Sequence, residues 1–185
     1  MTDTTASNSP WRTVDLAYVA LFAVLITVCA WVSIPLAVPF TLQTFAVFAA
    51  LGILGGRRGT FAVLVYILLG AVGLPVFAGF KGGLAALLGT TGGYLLGFLG
   101  SALVYWAITK RFGSKPAVML LAMVLGLVLC YAFGTFWFVR VYTQTKGAVS
   151  VLAALGWCVF PFVIPDLAKL GLALLLSRRV GKYLK

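Results

Sequence analysis

An acid and a base three residues apart, Asp166 and Lys169 in the segment PFVIPDLAKLG, are the pair in this sequence best placed to do chemistry. A spacing of three puts both side chains on one face of a helix. The next charged residues along the chain are Arg178 and Arg179. If that basic pair marks a membrane interface, Asp166 stands 12 residues above it, about 18 Å at the helical rise, and Lys169 about 13–14 Å. In a hydrocarbon layer about 30 Å thick, both then lie near the middle. An unpaired charge at that depth costs at least ~3 kcal/mol, so the pair must face protein or a cavity. Two readings follow. One is a structural ion pair, with Asp166 favoured by a helix N-terminus beginning at Pro165. The other is a ligand site, because an acid beside a base suits a solute that carries both donors and acceptors, and ionisable groups inside a membrane mark function.

Other polar residues are candidates by position. Arg140 falls 24 residues after Pro116, about 36 Å along a straight helix, which puts it at the outer interface as a snorkelling anchor or a ligand contact. Lys81 sits among Gly79, Gly82 and Gly83, in a solvated loop tip or in a re-entrant lid whose backbone N–H groups can meet a carboxylate. Tyr94 opens a span directly after this glycine-rich stretch, beside the expected pocket. Trp31, Trp137 and Tyr142 read as an interfacial aromatic belt.

What is missing excludes several classes. There is no histidine, hence no Ser-His-Asp triad and no histidine-based metal site. The three acids are Asp3, Asp15 and Asp166, so no paired-carboxylate site is available. No G-x-x-x-x-G-K-[ST] loop is present for ATP hydrolysis. Cys29, Cys130 and Cys158 lie singly in apolar runs without metal-ligand spacing. An intramembrane enzyme using Lys169 or a cysteine would have Asp166 as its only deep base. No cofactor and no metal are expected.

The elements that must hold these residues are membrane spans. The chain has 185 residues, of which 63% are apolar and 9% charged, against roughly 25% charged in a soluble domain. Its 14 basic residues punctuate apolar runs instead of forming one basic face, which argues against a nucleic-acid partner. The sequence predicts an all-α integral membrane protein of six helices over 15–32, 42–56, 59–72, 92–109, 116–139 and 166–176. A glycine-rich re-entrant loop joins helices three and four. Residues 1–12 are expected to be a disordered polar tail, and 13–185 one domain. Spans two and three are short, and short or interrupted spans are where solutes bind. In this arrangement ten basic residues, Arg12, Arg57, Arg58, Lys110, Arg111, Lys115, Arg178, Arg179, Lys182 and Lys185, fall on one side. Lys81, Arg140, Lys146 and Lys169 lie opposite or within. The positive-inside rule then puts both termini in the cytoplasm of a multi-pass protein of the cell membrane. Glycines at 52 and 56, and at 89, 93, 97 and 100, predict close helix packing.

Four segments, VPFTLQTFAV (38–47), GRRG (56–59), GLPVFAGFKGG with GTTGGYLLGF (73–98) and PFVIPDLAKLGLA (161–173), occur in an order and spacing that resemble the biotin-specific S components (BioY family) of energy-coupling-factor (ECF) vitamin transporters. The family usually has Pro-Thr where this chain has Thr90 and Thr91, and commonly Gly where it has Pro165. The resemblance implies six helices around a membrane-embedded pocket that takes biotin from outside, working with a coupling membrane subunit and two cytoplasmic ATPases. It implies that Asp166 and Lys169 read the ureido ring, that Tyr94, Phe40 and Phe77 pack the bicycle, and that Thr41 and Gln43 close the pocket. The tail carboxylate would meet backbone amides around Gly82 and Gly83, or Arg140. S components often dock on the coupling subunit through small residues of the first helix, where this chain has Ala17, Ala20 and Ala23. An S component for another vitamin is the alternative.

Overall fold

A computed structural model describes residues 11–181. Most of the tail expected over 1–12, together with Asp3, Lys182 and Lys185, lies outside the described residues. The architecture is all-α apart from one small hairpin. Seven helices run α1 (Thr13–Trp31), α2 (Gln43–Ala71), α3 (Leu84–Leu88), α4 (Gly92–Phe112), α5 (Pro116–Lys146), α6 (Val151–Cys158) and α7 (Phe160–Val180). Strands β1 (Ser33–Ile34) and β2 (Phe40–Thr41) pair antiparallel between α1 and α2, with Ser33 opposite Thr41. Five of the helices, α1, α2, α4, α5 and α7, are long and apolar enough to cross a membrane.

The expected spans two and three, 42–56 and 59–72, both fall on α2. Arg57 and Arg58 lie just past the interruption, at the start of the second half of α2. The interruption is Gly55, at φ 81° and ψ 167°, a left-handed backbone that glycine alone adopts freely. Its effect is large. A Cβ added at Gly59 would sit 2.7 Å from the Cα of Leu51, whereas residues eight apart in a straight helix are about 12 Å apart along the axis. The chain doubles back at Gly55, and α2 is two short antiparallel halves.

The end of α7 also differs from expectation. The helix starts at Phe160 rather than near Asp166, with Pro161 in its first turn and Pro165 inside it. N–H groups in a first turn have no ladder partner, so Pro161 loses little. Pro165 removes a single ladder bond without ending the helix. Asp166 is thus well inside α7, and the helix N-terminus at Pro165 invoked for it does not exist. The apolar stretch before Pro161 forms α6.

Glycine contacts bring the helices close. Added Cβ atoms would lie 3.1 Å from the Cα of Cys130 at Gly97, and 3.3 Å from the Cα of Ser101 at Gly126. Ser101 Oγ donates to the carbonyls of Gly97 (2.9 Å) and Gly126 (2.7 Å), stapling α4 to α5. Thr60 Oγ1 reaches the Ala102 carbonyl at 3.2 Å and ties α2 to α4. Tyr66, Tyr105, Phe48 and Phe138 fill the core.

These contacts sort the molecule into two ends. Gly52 abuts Ser177 of α7 and Gly56 abuts Trp106 of α4, while Arg58 pairs with Asp15 of α1 at 2.9 Å. The turn of α2, the start of α1 and the ends of α4 and α7 therefore share one end, with Arg12, Arg57, Arg58, Lys110, Arg111, Arg178 and Arg179 around it. The opposite end holds the β-hairpin, residues 72–91 and the end of α5. There Trp31 Nε1 donates to the Pro75 carbonyl (2.8 Å) and Trp137 Nε1 to the Gly89 carbonyl (2.9 Å). Both indoles, read from sequence as interfacial belt, brace the segment between α2 and α4. That segment contains a 3-10 turn (Ala78–Phe80) and α3.

Candidate functional site

A cavity of about 650 Å³ opens at this second end and reaches down to Asp166 and Lys169. The two side chains are 6% and 8% exposed. Lys169 Nζ donates to Asp166 Oδ1 at 2.8 Å and to the Thr41 carbonyl at 2.7 Å, and lies 4.1 Å from the centre of the Phe40 ring. The other carboxylate oxygen, Oδ2, accepts from the Tyr131 hydroxyl at 2.7 Å. A carboxylate has about four lone-pair sites, so each oxygen keeps acceptor capacity toward the cavity. Three elements thus converge on the pair: α5 through Tyr131, β2 through Thr41, and α7 itself.

Around the pair the walls are aromatic and small. Phe40 stacks on Phe162 at 5.9 Å, and Phe77 meets Tyr66 edge-on at 5.5 Å. Gln43 Nε2 donates to the Tyr66 hydroxyl at 2.9 Å, which holds the start of α2 against its own second half. Tyr94 exchanges a hydrogen bond with Thr135 at 3.0 Å. Two glycines make room for these rings: a Cβ at Gly70 would strike Phe77, and one at Gly134 would strike Tyr94. Among the described residues, no three His, Cys, Asp or Glu side chains gather as a metal site would need.

Of the residues named from sequence, Asp166, Lys169, Tyr94, Gly82, Thr41, Gln43 and Phe77 line the cavity. Phe40 caps Lys169 instead of lining the wall. Gly83 is not on the wall, and its N–H is already given to the Gly70 carbonyl at 2.7 Å. Arg140 is exposed on α5, away from the cavity. The reason is helical phase: at about 100° per residue, nine residues turn Arg140 half a revolution from Tyr131. The same arithmetic leaves Lys146 within about 60° of Tyr131, and Lys146 does line the cavity, as does Lys81. Tyr131, Thr135 and Lys146 were not singled out for the site from sequence; phase on α5 and a tyrosine too deep for an interfacial belt are the signals that mark them. Ala17 and Ala20 face outward on α1, but Ala23 is buried. A spacing of three drifts about 60° per step, which carries the stripe into the core.

The whole chain from residue 2 to 185 matches the model of the BioY family. It is 46% identical over 169 residues to a protein described as biotin transporter BioY from Thermotoga maritima, covering 91% of this chain and 96% of that one. The biotin transporter BioY of Rhodobacter capsulatus is 36% identical over 178 residues, covering 91% and 94%. The crystal structure of the S-component for biotin from an ECF-type ABC transporter superposes with a TM-score of 0.81 at 26% identity, covering 98% of this chain and 95% of that one. This chain belongs to the BioY family.

Proposed function

We propose that the protein is the biotin-binding membrane subunit of an ECF transporter. It captures biotin in the cavity and delivers it inward with a coupling membrane subunit and two cytoplasmic ATPases that supply the hydrolysis. The observation that carries this reading is the Asp166–Lys169 pair: buried, held from three sides, and open on one side to a cavity of about 650 Å³, within the usual range for ligand pockets. The ureido ring of biotin presents two N–H donors and a carbonyl. Asp166 accepts from an N–H, and Lys169 donates to the carbonyl. Tyr94 and Phe77 pack the apolar bicycle, while Phe40 holds Lys169 from behind. Thr41 and Gln43 close one side, and the tail carboxylate is met by Lys81, Lys146 and the backbone at Gly82.

Each half of α2 crosses the membrane in this reading, which gives six crossings in one domain, both termini cytoplasmic and the cavity mouth outside. The clustering of basic residues at the end opposite the cavity supports that orientation. Ala17 and Ala20, outward on α1, belong to the face offered to the coupling subunit.

The direct test is calorimetric titration of the purified protein with biotin and with a panel of other vitamins. Biotin alone should bind tightly, and saturable binding of a different vitamin in its place would overturn the assignment. For topology, in a variant with Cys29, Cys130 and Cys158 replaced by Ser, Lys146→Cys should react with an impermeant maleimide in intact cells. Lys115→Cys should react only after permeabilisation; the reverse pattern would invert the orientation.

A further inference from the structure

Among the described residues, the buried side chains of Thr27, Thr41, Thr60, Ser101, Thr135 and Ser177 all engage their hydroxyls within the protein. Thr44 is the exception. It is comparably buried, at 7% exposed, and its hydroxyl makes no hydrogen bond to any described residue. A hydroxyl sealed away from every polar partner would be costly, and no described side-chain oxygen or nitrogen is sealed in that way. The Thr44 oxygen therefore reaches open space, and the space beside it is the large cavity whose wall it lines. We propose that Thr44 reads the ligand: its hydroxyl oxygen accepts the ureido N–H of biotin that Asp166 leaves free. This rests on the biotin reading of the cavity.

Local structure explains why the hydroxyl is unused. A threonine inside a helix usually turns its hydroxyl back onto a carbonyl three or four residues earlier. Thr44 is the second residue of α2, so those residues are Phe40 and Thr41 of β2. Phe40 pairs with Ile34 across the hairpin, and the Thr41 carbonyl accepts from Lys169 Nζ at 2.7 Å. The change from strand to helix thus removes the usual partner. It also places Thr44 one helical turn beyond the backbone group that Lys169 holds. From there α2 runs toward the opposite end, so Thr44 stands at the deep, ureido-reading end of the cavity and not at its mouth. Gln43 beside it gives an amide N–H to the hydroxyl of the fully buried Tyr66 at 2.9 Å, which anchors this turn in the core.

The chemistry of the ligand calls for such a group. A cyclic urea has one carbonyl and two N–H donors, and its two N–H bonds diverge to opposite sides of the ring. One carboxylate meets only one of them. With Lys169 on the carbonyl and Asp166 on one N–H, the second N–H would be buried without an acceptor, which weakens binding. A hydroxyl oxygen with unused lone pairs supplies that acceptor. The site then selects cyclic ureas, which carry two N–H groups, over cyclic carbamates and lactams, which carry one.

The test uses the full chain in detergent, with calorimetric titration of biotin and of two analogues in which one or the other ureido N–H is replaced by oxygen. Weak binders are measured by displacement of biotin. Thr44→Val keeps the shape and removes the hydroxyl. It should bind biotin about twofold to tenfold more weakly, the range of one neutral hydrogen bond. The analogue lacking the N–H that faces Thr44 should bind the valine variant no more weakly than the unaltered protein. The other analogue should lose as much as biotin does. Thr44→Ser, which keeps the hydroxyl, should retain biotin affinity within about twofold and preserve the order of the three ligands. Because no hydrogen bond within the protein is lost, the melting temperature of the valine variant without ligand should not fall. Equal losses for biotin and both analogues would mark a packing effect and overturn the proposal, as would an unchanged biotin affinity. Failure of the unaltered protein to bind biotin would instead overturn the proposed function itself.

Discussion

Two ion pairs among the described residues are nearly the same length and opposite in character. Lys169–Asp166 measures 2.8 Å and Arg58–Asp15 measures 2.9 Å. The first is local, three residues apart on α7, and both side chains are under a tenth exposed. The second joins α1 to the turn of α2, with its arginine 37% and its aspartate 11% exposed. Their supporting groups differ in the same sense. Asp166 and Lys169 are held by Tyr131 and by the Thr41 carbonyl, from parts of the chain distant in sequence. Asp15 is held by Arg12, its own helix start. A buried pair repays its desolvation only when every remaining donor and acceptor is placed, and an interfacial pair needs no such scaffold because water screens it. The burial that makes the first pair expensive is also what lets it discriminate: a group that displaces water from the cavity meets polar partners that are shielded from solvent on their other sides.

The largest effects should come from breaking the buried pair. Asp166→Asn keeps the shape but removes charge and one acceptor oxygen, and leaves Lys169 uncompensated. Losing a charge-assisted hydrogen bond costs about 1.5–3 kcal/mol, roughly a ten- to hundredfold loss in biotin affinity. Lys169→Met leaves Asp166 unpaired and should lose binding at least as strongly. The double variant, Asp166→Asn with Lys169→Met, removes both buried charges, which is often neutral for folding. Its melting temperature should recover while biotin binding stays lost. Near-native affinity in the double variant would mean that the pair only holds the fold.

How much of this was legible beforehand depended on whether the signal was local. The apolar runs, the basic residues gathered at one end and the i, i+3 pair are local patterns; the pair and the described basic residues stand where the sequence puts them. The reversal in α2 was assigned to Arg57 and Arg58 because charge marks membrane ends. The chain turns instead at Gly55, where backbone freedom rather than charge permits a φ of 81°. The start of α7 was obscured by treating Pro161 and Pro165 as breaks, although the first falls where a helix tolerates proline. Tyr131 escaped because its importance lies in reaching Asp166, 35 residues away in sequence. Arg140 was named by depth alone, and depth ignores phase around α5.

Smaller effects should come from the cavity's supporting residues. Tyr131→Phe removes one donor to Asp166 without emptying space, and should weaken biotin binding about three- to tenfold, near the value of one hydrogen bond. Lys146→Met should cost about two- to fivefold, the range of an exposed charge contact. That loss should shrink when biotin is replaced by its methyl ester, which has no carboxylate. Arg140→Gln, on the opposite face of α5, should leave affinity unchanged. If Arg140→Gln weakened binding more than Lys146→Met, the tail would lie elsewhere than proposed.

The smallest effect is expected at the interfacial pair. Asp15→Asn keeps an oxygen able to accept from the Arg12 N–H, so the start of α1 should persist. Arg58→Gln leaves Asp15, whose side chain is 11% exposed, with that same N–H and at the edge of the bundle, so its charge is less stranded than that of Asp166 would be. With its arginine 37% and its aspartate 11% exposed, this pair should couple near the upper end of the about 0.2–1 kcal/mol of exposed pairs, against about 3–5 kcal/mol for breaking a fully buried one. A double-variant cycle on Asp15 and Arg58, read by thermal melting in detergent, should therefore return a coupling several times smaller than the same cycle on Asp166 and Lys169. Biotin affinity should be native in all members of the Asp15–Arg58 cycle, because none of them touches the cavity. Equal couplings in the two cycles would show that burial does not separate the pairs. An affinity loss in the Asp15–Arg58 cycle would show that the α1–α2 junction is linked to the pocket through the bundle.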